Sequence, residues 1–409
     1  MIILQMLIER YVEREFLSLL DEYRQMIFLS GPRQVGKTTT VRNISDRLPR
    51  SHYLNWDNVA HRQQFLQDTA GLASEIGLDQ VTEESLVCLF DELHKYSRWR
   101  DFLKGLHDSY STFRAIVTGS AQLNVFSRGG DSLRGRYFPY TLHPLSVGEL
   151  VRSPDRESEI ATAPQEIDDD QWEALLRFGG FPEPFNRANQ RFHNRWTLGL
   201  NEQVLREEVR DLTRVRELSQ IESLALQIRS RVGQLSNYLG LSRATQASVD
   251  SIRRWVAILE SLYYCFRVTP WYKNVARSLR KEPKFYLWDW SQVQDVGARA
   301  ENIVASALLK SVNWWTESGL GVYSLHFLRD TQKREVDFVV VKNSEPWFLV
   351  EVKAGASSSL SPQLRYFQDQ TGAQHVFQIS FDTAFEARNC FDFHSPIRVP
   401  AKTFLSQLV

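Results

Sequence analysis

The stretch from Gly31 to Thr38 fits the pattern G-x-x-x-x-G-K-[ST] without a gap. A glycine-rich loop of this kind points backbone N–H groups at phosphates, and its lysine adds a cation at the β- and γ-phosphates. The hydroxyl of Thr38 is suited to bind magnesium. We therefore predict that ATP and Mg²⁺ bind at Gly31, Pro32, Arg33, Gln34, Val35, Gly36, Lys37, Thr38 and Thr39. A chance glycine-rich turn is disfavoured because the motif follows an apolar run and opens a helix-length segment.

A second chemical signal is the stretch "LVCLFDELHK", in which an apolar run ends at Asp91 and Glu92. Carboxylates in this position lie at the carboxyl end of a buried strand, where open α/β sheets bind ligands. Asp91 would hold the magnesium ion, usually through water. Glu92 would accept a proton from the water that attacks the γ-phosphate. The alternative is an Asp-Glu pair that only caps the next helix, but the P-loop upstream favours hydrolysis.

Further polar residues follow the fourth apolar run, "RAIVTGS", which ends near Thr118 and Ser120. A hydroxyl at this sheet edge could orient the attacking water. The next stretch, "RGGDSLRGRYFPYTLHPLS", contains Arg128, Arg134 and Arg136. An arginine placed here could reach the γ-phosphate of a neighbouring subunit, and Arg136 is the candidate we name. The alternative is that these arginines are surface charges of a loop.

The carboxyl-terminal part of the chain contains a second group of candidate residues. "EVDFVVVKNSEPWFLVEVKAG" is typical of two strands joined by a turn at Asn343-Ser344. Period-2 alternation places Glu351 and Lys353 on one face of the second strand, and Asp337 lies on the first. The helical stretch "GARAENIVASALLK" presents Glu301.

This set resembles the PD-(D/E)XK nuclease constellation. Asp337, Glu351 and Glu301 would bind magnesium, and Lys353 would orient or activate water. Taken alone, the Glu-Val-Lys sequence is better explained by a salt-bridged structural pair. The two spaced carboxylates and the preceding helix with Glu301 favour a nuclease-like fold. The sequence therefore leaves nuclease activity open.

The elements that must position these residues follow two patterns. In the first 150 or so residues, the apolar runs "QMIFLS", "HYLNW", "LVCLFD" and "RAIVTGS" alternate with polar, helix-length segments. This alternation predicts a parallel sheet with crossover helices, and the P-loop would open a helix from Lys37 to about Leu48. The acidic stretch "RSPDRESEIATAPQEIDDDQW" lacks apolar periodicity and is typical of a linker.

The middle of the chain, from Arg187 to Leu262, is strongly helical. The segment "VGQLSNYLGLSRATQASVDSIRRWVAILESL" has the proportions of a helix-turn-helix. Ser242 would cap its second helix. Three apolar residues would form the core stripe of that helix: Ile252, Val256 and Leu259. Three polar residues would lie at its exposed start: Arg243, Thr245 and Gln246.

A basic segment, "WYKNVARSLRKEPK", follows this region. Its cations are Lys273, Arg277, Arg280, Lys281 and Lys284. They could contact nucleic-acid phosphates, since cations dominate nonspecific affinity. A structural lid of an ATPase, used only for protein contacts, would show the same pattern, so the two interpretations stay equal.

Composition excludes several classes of protein. The chain has 409 residues, of which 43% are hydrophobic and 24% charged, as expected for a soluble globular protein of two or three domains. Lysine plus arginine equals aspartate plus glutamate at 49 each, so net charge argues neither for nor against nucleic acid. No apolar run has the length of a membrane helix. Three widely separated cysteines make a disulfide framework or zinc site improbable, and we expect a cytoplasmic protein.

Five stretches carry a family resemblance: "GPRQVGKTT", "LFDELHK", "VTGSA", "LRGRYFPYTLHPLS" and "GGFPEP". They resemble prokaryotic AAA+-type ATPases whose conserved C-terminal domain, of unassigned function, is similar to restriction-endonuclease folds. The resemblance covers essentially the whole chain. It implies a five-stranded ATPase core, Walker A at Gly31 to Thr38, Walker B at Asp91 and Glu92, and a sensor-like polar residue at Ser120. It also implies a helical and winged-helix region followed by a nuclease-like tail.

The predicted architecture is α/β with three domains. They are an AAA+-type P-loop parallel-sheet domain at 1–150, a linker with a helical/winged-helix domain at 151–285, and a PD-(D/E)XK-like α/β domain at 286–409. The function we predict is ATP binding and hydrolysis coupled to action on, or binding of, nucleic acid, with DNA favoured. The alternative is an ATP-dependent switch or scaffold that binds a protein partner and has an inactive tail. A homo-oligomer is compatible with both.

Overall fold

The computed structural model describes residues 8–66, 69–80, 85–119, 133–152, 158–209, 218–272, 282–355 and 359–409. These residues fall into two compact units, Ile8–His143 and Pro144–Val409. Within the described ranges, no helix combines the length and the apolar character that crossing a membrane requires.

The unit Ile8–His143 is built on a five-stranded parallel sheet with strand order β2-β3-β4-β1-β5. Its strands are β1 (Met26–Ser30), β2 (Ser51–Asn55), β3 (Val87–Asp91), β4 (Arg114–Thr118) and β5 (Tyr137–Thr141). Its helices are α1 (Glu13–Glu22), α2 (Lys37–Ser45), α3 (Val59–Phe65), α4 (Thr69–Ile76) and α5 (Trp99–Ser109). The predicted parallel sheet is therefore confirmed, although the helix after the P-loop ends at Ser45 and not near Leu48.

The apolar runs become buried strands because both faces of a parallel sheet are covered. β3 is buried along its whole length, and Phe90 packs in one core with Phe65 and Phe102 from the flanking helices. This burial fixes where β3 ends, so the polar residues that follow Phe90 lie at the carboxyl edge of the sheet.

The unit Pro144–Val409 contains a mixed seven-stranded sheet with strand order β12-β11-β10-β9-β8-β6-β7. Its strands are β6 (Cys265–Pro270), β7 (Lys284–Leu287), β8 (Tyr323–Arg329), β9 (Glu335–Lys342), β10 (Glu345–Lys353), β11 (His375–Ser380) and β12 (Ile397–Pro400). Its helices are α6 (Val147–Val151), α7 (Asp169–Phe178), α8 (Pro182–Arg187), α9 (Gln190–Glu202), α10 (Leu218–Ser230), α11 (Tyr238–Thr245), α12 (Val249–Ser261), α13 (Val296–Glu317), α14 (Pro362–Thr371) and α15 (Ala401–Ser406). A π-helical turn, Gln203–Glu208, continues α9.

Helices α11 and α12 form the predicted helix-turn-helix, but its details differ from the prediction. Ser248, not Ser242, caps α12, because its hydroxyl accepts a hydrogen bond from the amide of Ser251 (3.1 Å). Ser242 lies inside α11, where its hydroxyl donates to the carbonyl of Ala247 (2.5 Å). The predicted core stripe of α12 is confirmed, since Ile252, Val256 and Leu259 are buried.

The three polar residues predicted at the start of α12 lie elsewhere. Arg243 and Thr245 belong to the last turn of α11, and Gln246 ends that helix in a left-handed conformation with φ of 52°. Thr245 is buried, and its hydroxyl donates to the carbonyl of Leu241 (2.9 Å). Thr245 is therefore a structural residue of α11.

The hairpin β9–β10 carries the second group of candidate residues. Its turn is at Asn343 and Ser344, as predicted, and both have positive φ angles of 49° and 74°. The predicted domain boundary at residue 285 lies within β7, which pairs with β6 in the same compact unit.

Candidate functional sites

The P-loop connects β1 to α2. Gly31 has a φ of 146°, and a Cβ atom on it would lie 2.5 Å from the carbonyl oxygen of Leu142. The chain beyond β5 is held there because the Leu142 amide donates to the Ser30 carbonyl (2.8 Å). Gly36 caps α2 in a left-handed conformation with φ of 104°. Both glycines of the motif are thus required by backbone geometry.

The side chain of Lys37 is folded across this loop. Its Nζ donates to the carbonyls of Gly31 (2.9 Å) and Pro32 (2.8 Å). Burial lowers the pKa of Lys37 to about 8, against the opposing charges of Glu92 and Asp91. The ammonium therefore lies inside the loop that would surround the phosphates.

The remaining predicted loop residues differ in their exposure. Val35 is buried, Gln34 and Thr39 are exposed, and Arg33 is half-buried. Arg10, which the sequence analysis did not identify, also contacts the P-loop. Its guanidinium donates to the carbonyl of Val35 (2.7 Å) and to that of His143 (2.5 Å). Arg10 thus links the P-loop to His143, the last residue of this unit.

Asp91 lies at the carboxyl end of β3 and accepts hydrogen bonds from several hydroxyl groups. Thr38 Oγ1 and the Tyr53 hydroxyl each donate to its Oδ2 at 2.7 Å, and the Thr118 hydroxyl donates to its Oδ1. Asn55 Nδ2 adds a longer contact of 3.4 Å. The structure thus brings Thr38 and Asp91 together as predicted for a Mg²⁺ site. A hydroxyl and a carboxylate are oxygen ligands of the kind that Mg²⁺ prefers, so the donor set fits this ion.

Glu92 follows in a left-handed conformation with φ of 55°. It precedes the one-turn helix Leu93–Lys95 but makes no side-chain capping hydrogen bond to it, so the capping alternative is not observed. Its carboxylate lies 3.2 Å from Lys95 Nζ and 3.8 Å from His94 Nε2. Burial lowers the pKa of His94 to about 4, which keeps the imidazole neutral at neutral pH.

Tyr53 and Asn55 are residues of this site that the sequence analysis missed. They lie in the second half of β2 (Ser51–Asn55), the neighbour of β3 in the sheet. Burial and the hydrogen bond to Asp91 raise the pKa of Tyr53. The available signal was the alternation in "HYLNW", which places both polar side chains on one face of the strand.

Two other predicted residues have different outcomes. Ser120, like Arg128, lies outside the described residues. Arg136 precedes β5 and donates through Nε and Nη2 to the carboxylate of Asp108 (2.8 and 3.0 Å). Its carbonyl accepts from the amide of Met26 at the start of β1, whereas the P-loop follows the end of β1. Five strand residues span about 16 Å, so Arg136 is at the sheet edge opposite to the P-loop of its own chain.

The second group of candidates lies in the unit Pro144–Val409. We name it the tail carboxylate cluster, and its members are Glu301, Glu335, Asp337 and Glu351. Lys284 of β7 is buried among them: its Nζ lies 2.7 Å from Glu335, 3.3 Å from Glu301 and 3.8 Å from Asp337. The Tyr286 hydroxyl also donates to Glu301 (2.7 Å).

The other contacts of the cluster involve β10. Asp337 Oδ2 accepts a hydrogen bond from the amide of Val352 (2.8 Å), and Lys353 Nζ donates to Glu351 Oε1 (2.7 Å). The second oxygen of Glu351 is buried and has no hydrogen-bond partner among the described residues. Burial and the charge of Asp337 raise the pKa of Glu301 to about 7. Burial also raises the pKa values of Asp337 and Glu351.

The predicted tail residues are thus neighbours, but a lysine lies between them. In the ranges that the structure describes, no three histidine, cysteine, aspartate or glutamate side chains are grouped closely enough to hold a metal ion. The donor set as placed does not fit the predicted Mg²⁺. Lys284 is also not available for phosphates, contrary to the prediction, since it is buried and ion-paired with carboxylates. The other cations of that segment, Lys273, Arg277, Arg280 and Lys281, lie outside the described residues.

Comparison with protein families divides the chain into three matched segments. Residues 23–151 match a family model described as an AAA domain. Residues 169–296 and 296–390 match two families described as domains of unknown function, DUF8612 and DUF4143. The first match, together with the parallel sheet and the P-loop, supports an AAA-type P-loop ATPase domain in this part of the chain.

Two mycobacterial relatives align along most of the chain. They are the proteins named "Uncharacterized protein Rv2008c" of Mycobacterium tuberculosis and "Uncharacterized protein Mb2031c" of Mycobacterium bovis. Each is 22% identical over 348 residues, which cover 83% of this chain and 73% of the relative.

Two solved structures resemble parts of the chain. One is the Walker-type ATPase PABY2304 of Pyrococcus abyssi, with 14% identity, a TM-score of 0.43, and coverage of 69% of this chain and 93% of that one. The other is AMPPCP-bound DnaA from Aquifex aeolicus, with 12% identity, a TM-score of 0.29, and coverage of 61% and 86%. Neither score is high enough to support a conclusion about this chain.

Proposed function

We propose that the chain binds ATP with Mg²⁺ at the P-loop and hydrolyses it, and that hydrolysis is coupled to binding of nucleic acid, DNA in the first place. The observation that carries the proposal is the contact of 2.7 Å between Thr38 Oγ1 and Asp91 Oδ2. It places the two residues that would hold the metal ion at the start of α2 and the end of β3, next to Lys37 and Glu92.

Each residue has a separate task in hydrolysis. The backbone amides of the P-loop and the ammonium of Lys37 bind the phosphates, for which Lys37 exchanges the carbonyls of Gly31 and Pro32 for phosphate oxygens. Thr38 and Asp91 hold Mg²⁺, which when bound neutralises negative charge on the phosphates. Thr118, which lies beside Asp91, keeps that carboxylate oriented.

Glu92 is the general base of the proposal. It accepts a proton from the attacking water, for which its carboxylate must be ionised. The ammonium of Lys95 lies 3.2 Å from this carboxylate. Arg136, at the opposite sheet edge, could act on a γ-phosphate only in a neighbouring copy of the chain, so this role requires a homo-oligomer.

Nucleic-acid binding is assigned to the middle of the unit Pro144–Val409. Helices α10, α11 and α12 followed by the antiparallel pair β6–β7 have the order of a winged helix, which supports this assignment. The outer face of α12 exposes Arg253 and Arg254. Two exposed cations on the second helix of a helix-turn-helix are suited to phosphates or base edges.

The tail that follows is assigned a nuclease-like fold. Its support is the long helix α13 packed on a mixed sheet, with Asp337 and Glu351 on the adjacent strands β9 and β10. Cutting is not part of the proposal. The alternative function, a switch or scaffold with an inactive tail that binds a protein partner, is favoured by one observation, the position of Lys284 among the carboxylates.

Phosphate release from ATP tests the proposal. We expect the wild type to turn over and Glu92→Gln to be slower by about 10²–10⁴-fold, the usual contribution of a general base, while still binding ATP. Each protein is assayed alone and with duplex DNA, single-stranded DNA or RNA, and duplex DNA should stimulate the wild type most. Glu22→Gln, at the end of α1, is the matched control and should behave like the wild type.

The outcomes separate the two parts of the proposal. Equal turnover by the wild type and Glu92→Gln under every condition would refute hydrolysis at this site. Turnover that depends on Glu92 but does not respond to any nucleic acid would refute the coupling and favour a protein partner.

A further inference from the structure

The ammonium of Lys284 occupies the interior of the tail carboxylate cluster. It comes from β7, whereas Glu301 comes from α13, and Glu335 and Asp337 come from β9. The side chain of Lys284 is only 3% exposed, and its Nζ is within 4 Å of all three carboxylates. β7 is thus packed so that the ammonium of Lys284 contacts the carboxylates of Glu301, Glu335 and Asp337.

Lys284 supplies positive charge to these buried carboxylates, as a divalent ion would. Buried carboxylates need a cation or hydrogen-bond donors, since leaving several of them uncompensated is costly. Here Lys284 compensates Glu301, Glu335 and Asp337, the Tyr286 hydroxyl binds Glu301, and the Val352 amide binds Asp337.

The charge balance leaves little demand for a further cation. Among the residues that the structure describes, the four carboxylates of the cluster face three side-chain cations: Lys284, Arg329 at Glu335, and Lys353 at Glu351. With all four carboxylates ionised, the remaining charge is one negative unit. A divalent ion held by Glu301 and Asp337 together would approach an ammonium that already lies 3.3 and 3.8 Å from them, and two cations at such separations repel.

We propose that Lys284 is a built-in cation that takes the place of a metal ion, so that the tail carboxylate cluster binds neither Mg²⁺ nor Mn²⁺. The tail keeps the arrangement of carboxylates without the ion that phosphodiester hydrolysis at such a site requires. The inference therefore excludes metal-dependent cutting of nucleic acid by the tail. The inference does not depend on ATP hydrolysis, because no residue of the P-loop enters it.

Binding of Mn²⁺ to the full chain without nucleotide, followed by electron paramagnetic resonance, tests the inference. The wild type and Asp337→Asn should bind the same number of Mn²⁺ ions, and any ion held by the P-loop contributes equally to both. If the wild type binds one ion more than Asp337→Asn, the tail cluster is a metal site and the inference is overturned.

Removal of the lysine gives the second half of the test. Lys284→Met should gain one Mn²⁺ ion, and the double variant Lys284→Met with Asp337→Asn should lose it again. Mn²⁺ should also raise the thermal unfolding temperature of Lys284→Met but not that of the wild type. A folded Lys284→Met that gains no Mn²⁺ would contradict the inference.

The matched control is Lys310→Met. Lys310 is buried and pairs with Glu149 at 2.5 Å, so its loss also removes an ammonium from a buried carboxylate. We expect the Lys310→Met variant to be less stable than the wild type without binding an additional Mn²⁺ ion. This result would separate a specific metal site from a general effect of losing a buried lysine. If Lys284→Met does not fold, the comparison of the wild type with Asp337→Asn still decides. Phosphate release from ATP, measured in parallel, distinguishes failure of this inference from failure of the proposed ATPase.

Discussion

Asp91 and Asp337 are both carboxylates on sheet strands, but different kinds of donor stabilise their negative charges. Asp91 accepts hydrogen bonds from the hydroxyls of Thr38, Tyr53 and Thr118, which are neutral donors. Asp337 shares the ammonium of Lys284 with two further carboxylates and also accepts a backbone amide.

This difference determines which site can accept a cation. A hydroxyl can rotate and become a metal ligand, because its oxygen has lone pairs. An ammonium has three donors and no acceptor, so it competes with a metal ion for the same oxygens. The donors around Asp91 are therefore compatible with a bound cation, whereas Asp337 already shares the ammonium of Lys284.

The largest effect should come from removing that cation. We expect Lys284→Met to lose about 3–5 kcal/mol of unfolding free energy, since it removes the ammonium that three buried carboxylates share. Asp91→Asn should lose less than about 1 kcal/mol, because hydroxyl groups can donate to or accept from an amide. Urea unfolding of both variants beside the wild type measures this contrast. Equal losses would show that the two carboxylates are not compensated differently.

A smaller effect is expected from Tyr53→Phe, which removes one of the donors to Asp91. With Thr38, Thr118 and Asn55 still in place, we expect ATP hydrolysis to fall about tenfold, the loss of one hydrogen bond to a charged group. The Mg²⁺ concentration for half-maximal rate should change as well, because the hydroxyl and the metal ion contact the same carboxylate. Tyr23→Phe, at an exposed position after α1, is the control. An unchanged Mg²⁺ dependence would mean that Tyr53 only stabilises the fold.

The smallest effect concerns His94 beside Glu92. Its folded-state pKa of about 4 lies below the ordinary value of 6.5, so between these pH values the unfolded chain binds a proton that the folded chain does not. Stability from the neutral imidazole is therefore present above pH 6.5 and is lost as the pH falls toward 4. From pH 7 to pH 5, the wild type should lose about 1–2 kcal/mol more than His94→Gln in urea unfolding. Equal losses would show that His94 titrates normally.

Local patterns in the sequence were sufficient to predict that the P-loop residues and Asp91 lie together. Gly31, Lys37 and Thr38 are nearly contiguous, and Asp91 ends a strand whose burial is visible in its composition. The β9–β10 turn at Asn343 was predictable for the same reason, because turn chemistry is local.

The position of Lys284 was missed because it depends on contacts between distant elements. Lys284 belongs to a basic stretch in the sequence, and only the pairing of β7 with β6 brings it to Glu301 and Glu335. The helix cap was assigned to Ser242 instead of Ser248 because both serines precede helical sequence. The turn at Gln246, with its positive φ, decides between them.

Gly31 has a practical consequence for genetics. Its missing side chain leaves room for the carbonyl of Leu142, so replacement by alanine would push apart two strands of the sheet before any nucleotide is involved. We therefore expect Gly31→Ala to reduce the amount of folded protein. A variant that tests hydrolysis without this clash is better made at Glu92, whose side chain makes no capping hydrogen bond.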